Sequence, residues 1–318
     1  LYKLYNIVTA PEPIQEVAMA TVMLDKRLDF ERTLGALRAQ VDDRLSQWLP
    51  RCPPQDAIGV AMRDGTLAPG KRIRPLLLLL TLKDLQQDGL HDVALDLACA
   101  LEMLHAASLI LDDMPCMDNA ELRRGRPTIH RQFGEDVAVL GSVALLSQAF
   151  SIAASAEGID PATRNRLVRL LATSTGTQGL VQGQFHDLRE GRQSRPLEAI
   201  THTNRLKTCP LFTAAVELAA LLSGASTSCA RHLTGFATEL GLAFQLLDDL
   251  ADGLSPQHSG KDAGKDRGKS TLVTLLGPEA ARRQVELHIT HAGQHLTDAD
   301  IADGHLAQAL EYFCTRCH

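Results

Sequence analysis

Two acidic strings, each set directly behind an apolar run, constrain this 318-residue chain more than any other feature. The first is Asp112-Asp113-Met114-Pro115-Cys116-Met117-Asp118, after Ser108-Leu109-Ile110-Leu111. The second is Asp248-Asp249-Leu250-Ala251-Asp252, after Phe244-Gln245-Leu246-Leu247. About 130 residues separate them. Asp248 and Asp252 are four apart, so on a helix their carboxylates share a face. Pro115 ends or distorts the first helix, and Asp118 must return by way of a loop. Like charges 4 Å apart repel by about 4 kcal/mol at an effective dielectric near 20. Carboxylates at a helix C-terminus also oppose the macrodipole. A divalent cation relieves both, and oxygen-only donors select Mg2+ or a similar hard ion, which completes its shell with phosphate oxygens. The paired strings therefore predict a phosphorylated substrate held by metals between two facing helices.

The rest of the chain reads as helices. Leu34, Leu37, Val41, Leu45, Trp48 and Leu49 recur at helical spacing, and Pro50, Pro53 and Pro54 close that segment. Pro75 opens a Leu-rich run to about Leu85, and 92–111 is apolar on nearly all sides, as a central helix would be. Further helical stretches are expected at 137–156, 161–180, 211–222, 229–250 and 279–296, with no useful strand pattern between them. Aromatics make up only 4% of the residues, which also disfavours a β-rich fold. Gly and Pro punctuate short loops at 65–70, 157–161, 191–196, 253–268 and 277–278, and nothing divides the chain. The expectation is one all-α domain, a helical bundle around a central active-site cavity, spanning 26–318. Residues 1–25 are expected to be a disordered extension, and no secretory signal is read at 1–18.

Composition removes several function classes. With 32 Lys and Arg against 38 Asp and Glu, the net charge is −6, which argues against a nucleic-acid partner. Seven scattered cysteines do not form a disulfide framework and suit a reducing, cytoplasmic setting. The string Cys314-Thr315-Arg316-Cys317-His318 has haem-attachment spacing, but nothing nearby suggests an axial ligand. The 137–156 run is interrupted by Gly141 and several serines, so it reads as a buried core helix rather than a membrane span.

Basic residues flank both acidic strings. Gly70-Lys71-Arg72-Ile73-Arg74-Pro75 precedes a buried helix, and Arg123-Arg124-Gly125 follows the first string. Lys207-Thr208 stands before a helix, and Lys261, Lys265 and Lys269 crowd the segment after the second string. These segments, with Gly183-Gln184-Phe185-His186-Asp187, occur in the order seen in the trans-isoprenyl diphosphate synthases. The chain resembles that family over roughly 30 to 290, and most closely its bacterial geranylgeranyl diphosphate synthases.

The resemblance implies an isoprenoid synthase fold and a cytoplasmic homodimer without a membrane span. It implies that Asp112, Asp113, Asp118, Asp248 and Asp252 bind three Mg2+ ions that clamp an allylic diphosphate, with Asp249, Gln184 and Asp187 in support. Arg123, Lys207, Lys261 and Lys269 would hold that diphosphate too. Lys71, Arg74, His105 and Arg124 would bind isopentenyl diphosphate, and Thr208 and Gln245 would stabilise the allylic cation. His105, seven residues before Asp112, shares its face.

The product chain would run beside the first Asp helix. Ala107 and Ser108 are small where farnesyl-making relatives carry an aromatic, so about one more turn, 5.4 Å, stays open. Leu104 and Leu101 are candidates for the floor. Geranylgeranyl diphosphate is the expected product and farnesyl diphosphate the alternative. A class I terpene cyclase, a phosphohydrolase using His91-Asp92 and a non-catalytic partner subunit are weaker readings.

Overall fold

The computed structural model describes residues 13–51, 53, 55–191, 193–252 and 270–315, with the backbone only at 13–26, 252, 314 and 315. The described residues are almost entirely helical. In chain order the helices are α1 (Pro13–Trp48), α2 (Ala57–Leu67), α3 (Ile73–Asp84), α4 (His91–Asp112), α5 (Ile129–Phe133), α6 (Glu135–Ala154), α7 (Pro161–Thr175), α8 (Leu180–Glu190), α9 (Leu197–Ser223), α10 (Thr227–Asp252), α11 (Leu272–Leu276), α12 (Pro278–Asp298) and α13 (His305–Thr315). Among the described residues the sheet content is one hairpin of two-residue strands, β1 (Leu122–Arg123) with β2 (Arg126–Pro127).

The apolar spacing in α1 does what it promises: Leu34, Leu37, Val41, Leu45 and Leu49 are all buried. The helix runs unbroken across residues 25 and 26, while 1–12 lie outside the described residues. In α3 the five leucines 76–80 are no more than 1% exposed, so the helix is enclosed on all sides rather than along one stripe. It packs on α4, α9 and α13, and each enclosed leucine contributes about 1.5–3 kcal/mol of transfer free energy. Around this centre α4 packs on α6, α9 on α8 and α10, and α10 on α12.

Several element limits differ from the sequence reading, each for a physical reason. The segment expected at 211–222 is the second half of α9, which runs through Pro210. That proline removes only the hydrogen bond the Leu206 carbonyl would have accepted. The stretch expected at 161–180 ends at Thr175, where Gly176 begins a turn into α8. Helix α2 has few large apolar residues and is started by Asp56, whose carboxylate accepts from the Gly59 N–H. Helix α13 is capped from far away in sequence: Asp84 accepts from the backbone N–H groups of His305 and Leu306 at 2.7 and 2.8 Å.

Three segments, Asp88–Asp112, Glu135–Ala154 and Leu197–Ser223, are long and apolar enough to cross a membrane by length and composition. Here they pack against one another and their neighbours, although α6 leaves Val139, Leu140 and Val143 at 42–54% exposure. His91 and Asp92, the candidate phosphohydrolase pair, are occupied otherwise. His91 bonds Gln40, and Asp92 and Asp96 both accept from Arg44, which stitches α1 to α4.

The most consequential polar contact in the core is made by Arg72. It sits at φ 51°, a left-handed conformation that is costly for a side chain-bearing residue. Its guanidinium donates to Asp42 of α1 at 2.8 Å, to Glu102 of α4 at 2.7 Å and to the Ala68 carbonyl at 3.1 Å. Burial opposes its charge, but Glu102 and Asp42 outweigh that and hold it protonated. Breaking such a pair leaves an uncompensated buried charge. We therefore expect Glu102→Leu to lose about 3–5 kcal/mol in denaturant unfolding, and Arg72→Met on top of it to recover a large part of that loss.

Candidate active site

Helix α4 ends at Asp112, and the turn beyond it folds back on the helix end. The Asp118 N–H donates to the Asp112 carbonyl at 2.9 Å, and the Ala120 N–H to that of Asp113 at 3.1 Å. This is the loop return that Pro115 demands, and it brings Asp118 beside Asp112. Burial first, with repulsion from Asp118 and Asp113, pushes the Asp112 carboxyl up to about 6, while Lys207 and Arg123 pull the other way. That Lys207 of α9 acts on Asp112 places α9 against the end of α4.

The hairpin after this loop aims two arginines. Arg124 and Gly125 lie at φ 53° and 75°, the conformation a two-residue turn between Arg123 and Arg126 requires. Arg123 thereby reaches back to Asp113, donating to both of its oxygens at 2.6–3.0 Å. Asp113 is 3% exposed, so its carboxylate is fully engaged in this fork. Arg124 remains exposed and feels Glu102 and Arg72.

At the start of α3 the three cations of one motif divide their labour. Arg72 points inward to Asp42 and Glu102. Lys71 and Arg74 turn the other way, onto two aromatic rings. The Lys71 ammonium stands 5.7 Å from the centroid of Phe244, and the Arg74 guanidinium 4.8 Å from that of Phe212. Burial lowers Arg74 to about 10, against the pull of Glu102 and Asp248, so it stays charged at neutral pH. That Arg74 senses Asp248 links α3 to the end of α10. His105 lies 3.2 Å from Arg74 through its Nε2. Burial and then Arg74, Arg124, Arg123 and Arg72 hold it well below the usual imidazole range, so the ring is neutral. A neutral Nε2 accepts from Arg74.

Helices α8, α9 and α10 complete the ring of residues. Lys207 donates to Asp187 of α8 at 2.7 Å, and Gln184 is buried one turn before it. Thr208 donates to the Gln245 carbonyl oxygen at 2.6 Å, and Gln245 donates in turn to Asp249 at 2.8 Å. This relay fixes the Gln245 amide. The aromatic pair Phe212 and Phe244, 5.6 Å apart, escaped the sequence reading as site residues. Phe244 stands in the second string's own motif, but nothing local signals that a cation will rest on it. Among the chain-length candidates, Ala107, Leu104 and Leu101 are fully enclosed, whereas Ser108 is half-buried with its hydroxyl donated to the His105 carbonyl. The Asp252 side chain, Lys261, Lys265, Lys269 and the Cys314–His318 string lie outside the described residues and side chains.

Residues 56–309 match the family model for polyprenyl synthetase. A geranylgeranyl diphosphate synthase of Pantoea ananas is 54% identical over 289 residues, covering 91% of this chain and 95% of that protein. A farnesyl diphosphate synthase of Geobacillus stearothermophilus is 38% identical, covering 92% of this chain and 99% of that one. Among solved structures, a geranyltransferase of Helicobacter pylori complexed with magnesium and isoprenyl diphosphate superposes with a TM-score of 0.80 at 29% identity, over 89% of this chain and 95% of that one.

One position tests how tightly the site is built. A Cβ on Gly183 would overlap the backbone of Leu206 and Lys207, so α8 and α9 touch at that point. We expect Gly183→Ala to part the helices, costing about 1–3 kcal/mol in thermal unfolding. It should also weaken binding of inorganic diphosphate in the presence of Mg2+, measured by calorimetry, because Lys207 and Asp187 would no longer meet.

Proposed function

The chain belongs to the polyprenyl synthetase family, and we propose that it condenses isopentenyl diphosphate with an allylic diphosphate, head to tail and with trans geometry. We propose further that it converts farnesyl diphosphate into geranylgeranyl diphosphate. The observation that carries the reading is a gathering of cations beside the acidic strings, which we divide between two diphosphates. One set is Lys71, Arg74 and Arg124 with His105, and the other is Arg123 and Lys207. Two diphosphate sites suit a two-substrate condensation, whereas a terpene cyclase would use one.

The donors at Asp112, Asp118 and Asp248 are all carboxylate oxygens, and burial, with repulsion from Asp118 and Asp113, raises the Asp112 pKa despite Lys207 and Arg123. That chemistry fits Mg2+. Asp112, Asp113, Asp118, Asp248 and Asp252 would hold three ions, with Asp249, Gln184 and Asp187 behind them. Participation by Asp113 requires its fork with Arg123 to open. When bound, Mg2+ supplies charge neutralisation at the leaving diphosphate.

The protein's own groups do the rest. The allylic C1–O bond breaks and its electron pair leaves on diphosphate, where Arg123 and Lys207, with Lys261 and Lys269, stabilise the developing charge. Thr208 and Gln245, oriented by their relay, turn oxygen dipoles towards the allylic cation. Arg74, held by His105 and Phe212, and Lys71 and Arg124 keep the isopentenyl double bond in line for attack. A proton then leaves the isopentenyl unit for the departing diphosphate, so no protein base is required. The small Ala107 and Ser108 support a chain longer than farnesyl, with Leu104 and Leu101 as the floor, and so does the 54% identity to a relative named for the longer product.

The chain is proposed to act as a cytoplasmic homodimer that does not cross a membrane. In support, Val139, Leu140 and Val143 give α6 an apolar strip for a second copy to cover, and Cys99, Cys116, Cys209 and Cys229 are free thiols.

Incubated with Mg2+, isopentenyl diphosphate and farnesyl diphosphate, the protein should yield geranylgeraniol after dephosphorylation. Asp112→Ala should lower the rate by at least about 10^2–10^3-fold. Ser108→Phe should stop elongation at farnesyl diphosphate when geranyl diphosphate is the starter. If the native protein turns over geranyl but not farnesyl diphosphate, the reaction stands and the product assignment fails. No elongation from any starter would instead favour the partner-subunit or cyclase readings.

A further inference from the structure

Helices α10 and α12 face each other along a stripe that the prenyl-transfer chemistry does not use. On α10 it carries His232 and Glu239, and on α12 His288, His291, His295 and Asp298. The lower part of the stripe is satisfied internally: His288 bonds Glu239 at 2.6 Å, and His291 lies 3.8 Å from the same carboxylate. The upper part is not. The Nδ1 atoms of His232 and His295 are both buried and have no hydrogen-bond partner. Burying a polar atom without a partner forfeits its hydrogen bond to water with nothing in return.

We propose that His232, His295 and Asp298 form a second metal site, for a borderline transition-metal cation of the zinc class, which clips α10 to α12. One donor atom from each residue lies within 4.8 Å of the other two. Tetrahedral ligands at about 2.0–2.1 Å from zinc stand about 3.3 Å apart, so a closure of about 1.5 Å completes the set. The two imidazole rings already lie 5.8 Å apart between centroids, tilted by 49°, and His232 Nδ1 lies 3.8 Å from Asp298 Oδ2. Asp298 keeps its other oxygen on the Gln294 amide at 2.8 Å, the kind of outer contact that orients a ligating carboxylate. With side chains 25% and 41% exposed, His232 and Asp298 leave a route from solvent and room for a water as fourth ligand.

The donor set separates this site from the acidic strings. Two imidazoles with one carboxylate select zinc, cobalt, nickel or copper over Mg2+, which prefers oxygen alone. Position separates them too, since His232 is sixteen residues before Asp248 on the same helix, about 24 Å along its axis. A metal here would bind only when both rings are neutral, and its binding free energy would add to the stability of the α10–α12 pair. The proposal does not depend on the substrate reading above.

The test is a Co2+ titration of chelator-stripped full-length protein in excess Mg2+, which occupies oxygen-only sites. The expected result is one Co2+ per chain with the intense visible d–d absorption of a low-coordinate nitrogen–oxygen site, displaced by Zn2+. His232→Ala and Asp298→Ala should each weaken it at least tenfold, while His291→Ala, a neighbouring exposed histidine, should leave it unchanged. Zn2+ should raise the melting temperature of the native protein and not that of Asp298→Ala, an exposed position whose metal-free melting should match the native value. Absence of the band, its survival in both variants, or a thiolate charge-transfer band placing the metal on cysteine would each overturn the assignment.

Discussion

One buried carboxylate organises the cationic half of this molecule. Glu102, in the middle of α4 and 4% exposed, accepts from Arg72 and exerts its field on Arg74 and Arg124 as well. Three guanidiniums so close would otherwise repel one another, and burial would make each more costly. With Glu102 beneath them they can be stacked at one end of the bundle. Arg72 takes the direct ion pair and, with Asp42, locks the first turn of α3 onto α1 and α4. Its left-handed backbone is the means by which Lys71 and Arg74 are turned away from it, towards Phe244 and Phe212.

The acidic half is arranged on a complementary rule. Several of the described carboxylates and cations expected to handle metal or diphosphate already have an opposite charge or an oriented dipole as partner. Asp113 holds Arg123, Asp187 holds Lys207, and Asp249 holds Gln245, which holds Thr208. Pairing of this kind keeps long side chains in one geometry without leaving charges unpaired, and the Asp113–Arg123 fork is the contact that would have to open for Asp113 to take a metal. Asp112 differs in that its burial is not offset by an ion pair, and its raised pKa is the result. A cation bound beside it would relieve that cost.

The fold was legible wherever burial follows from local pattern. The spacing in α1, the leucines of α3 and the apolar run of α4 each predicted a buried face that the structure contains. Legibility failed where the deciding partner is remote. Helix α13 is started by Asp84, more than two hundred residues earlier, and α9 crosses Pro210 because its packing on α3 and α8 outweighs one lost hydrogen bond. A proline read locally marks an end, and only neighbours can override it.

The sequence by itself determined the helical architecture, the two acidic strings and the cations in order beside them, because each depends on residue type and spacing alone. Charge repulsion within the strings required a cation whatever the fold around them. The tertiary structure decided how each charge is spent. Lys71, Arg72 and Arg74 are near-equivalent in the sequence, yet one braces the core and two face the site, since the direction of a side chain depends on backbone conformation and on where Glu102 lies. It also decided that His232, His295 and Asp298, spread over 67 positions, meet on one outer face. No local pattern encodes that meeting, because it is fixed by how α10 and α12 pack.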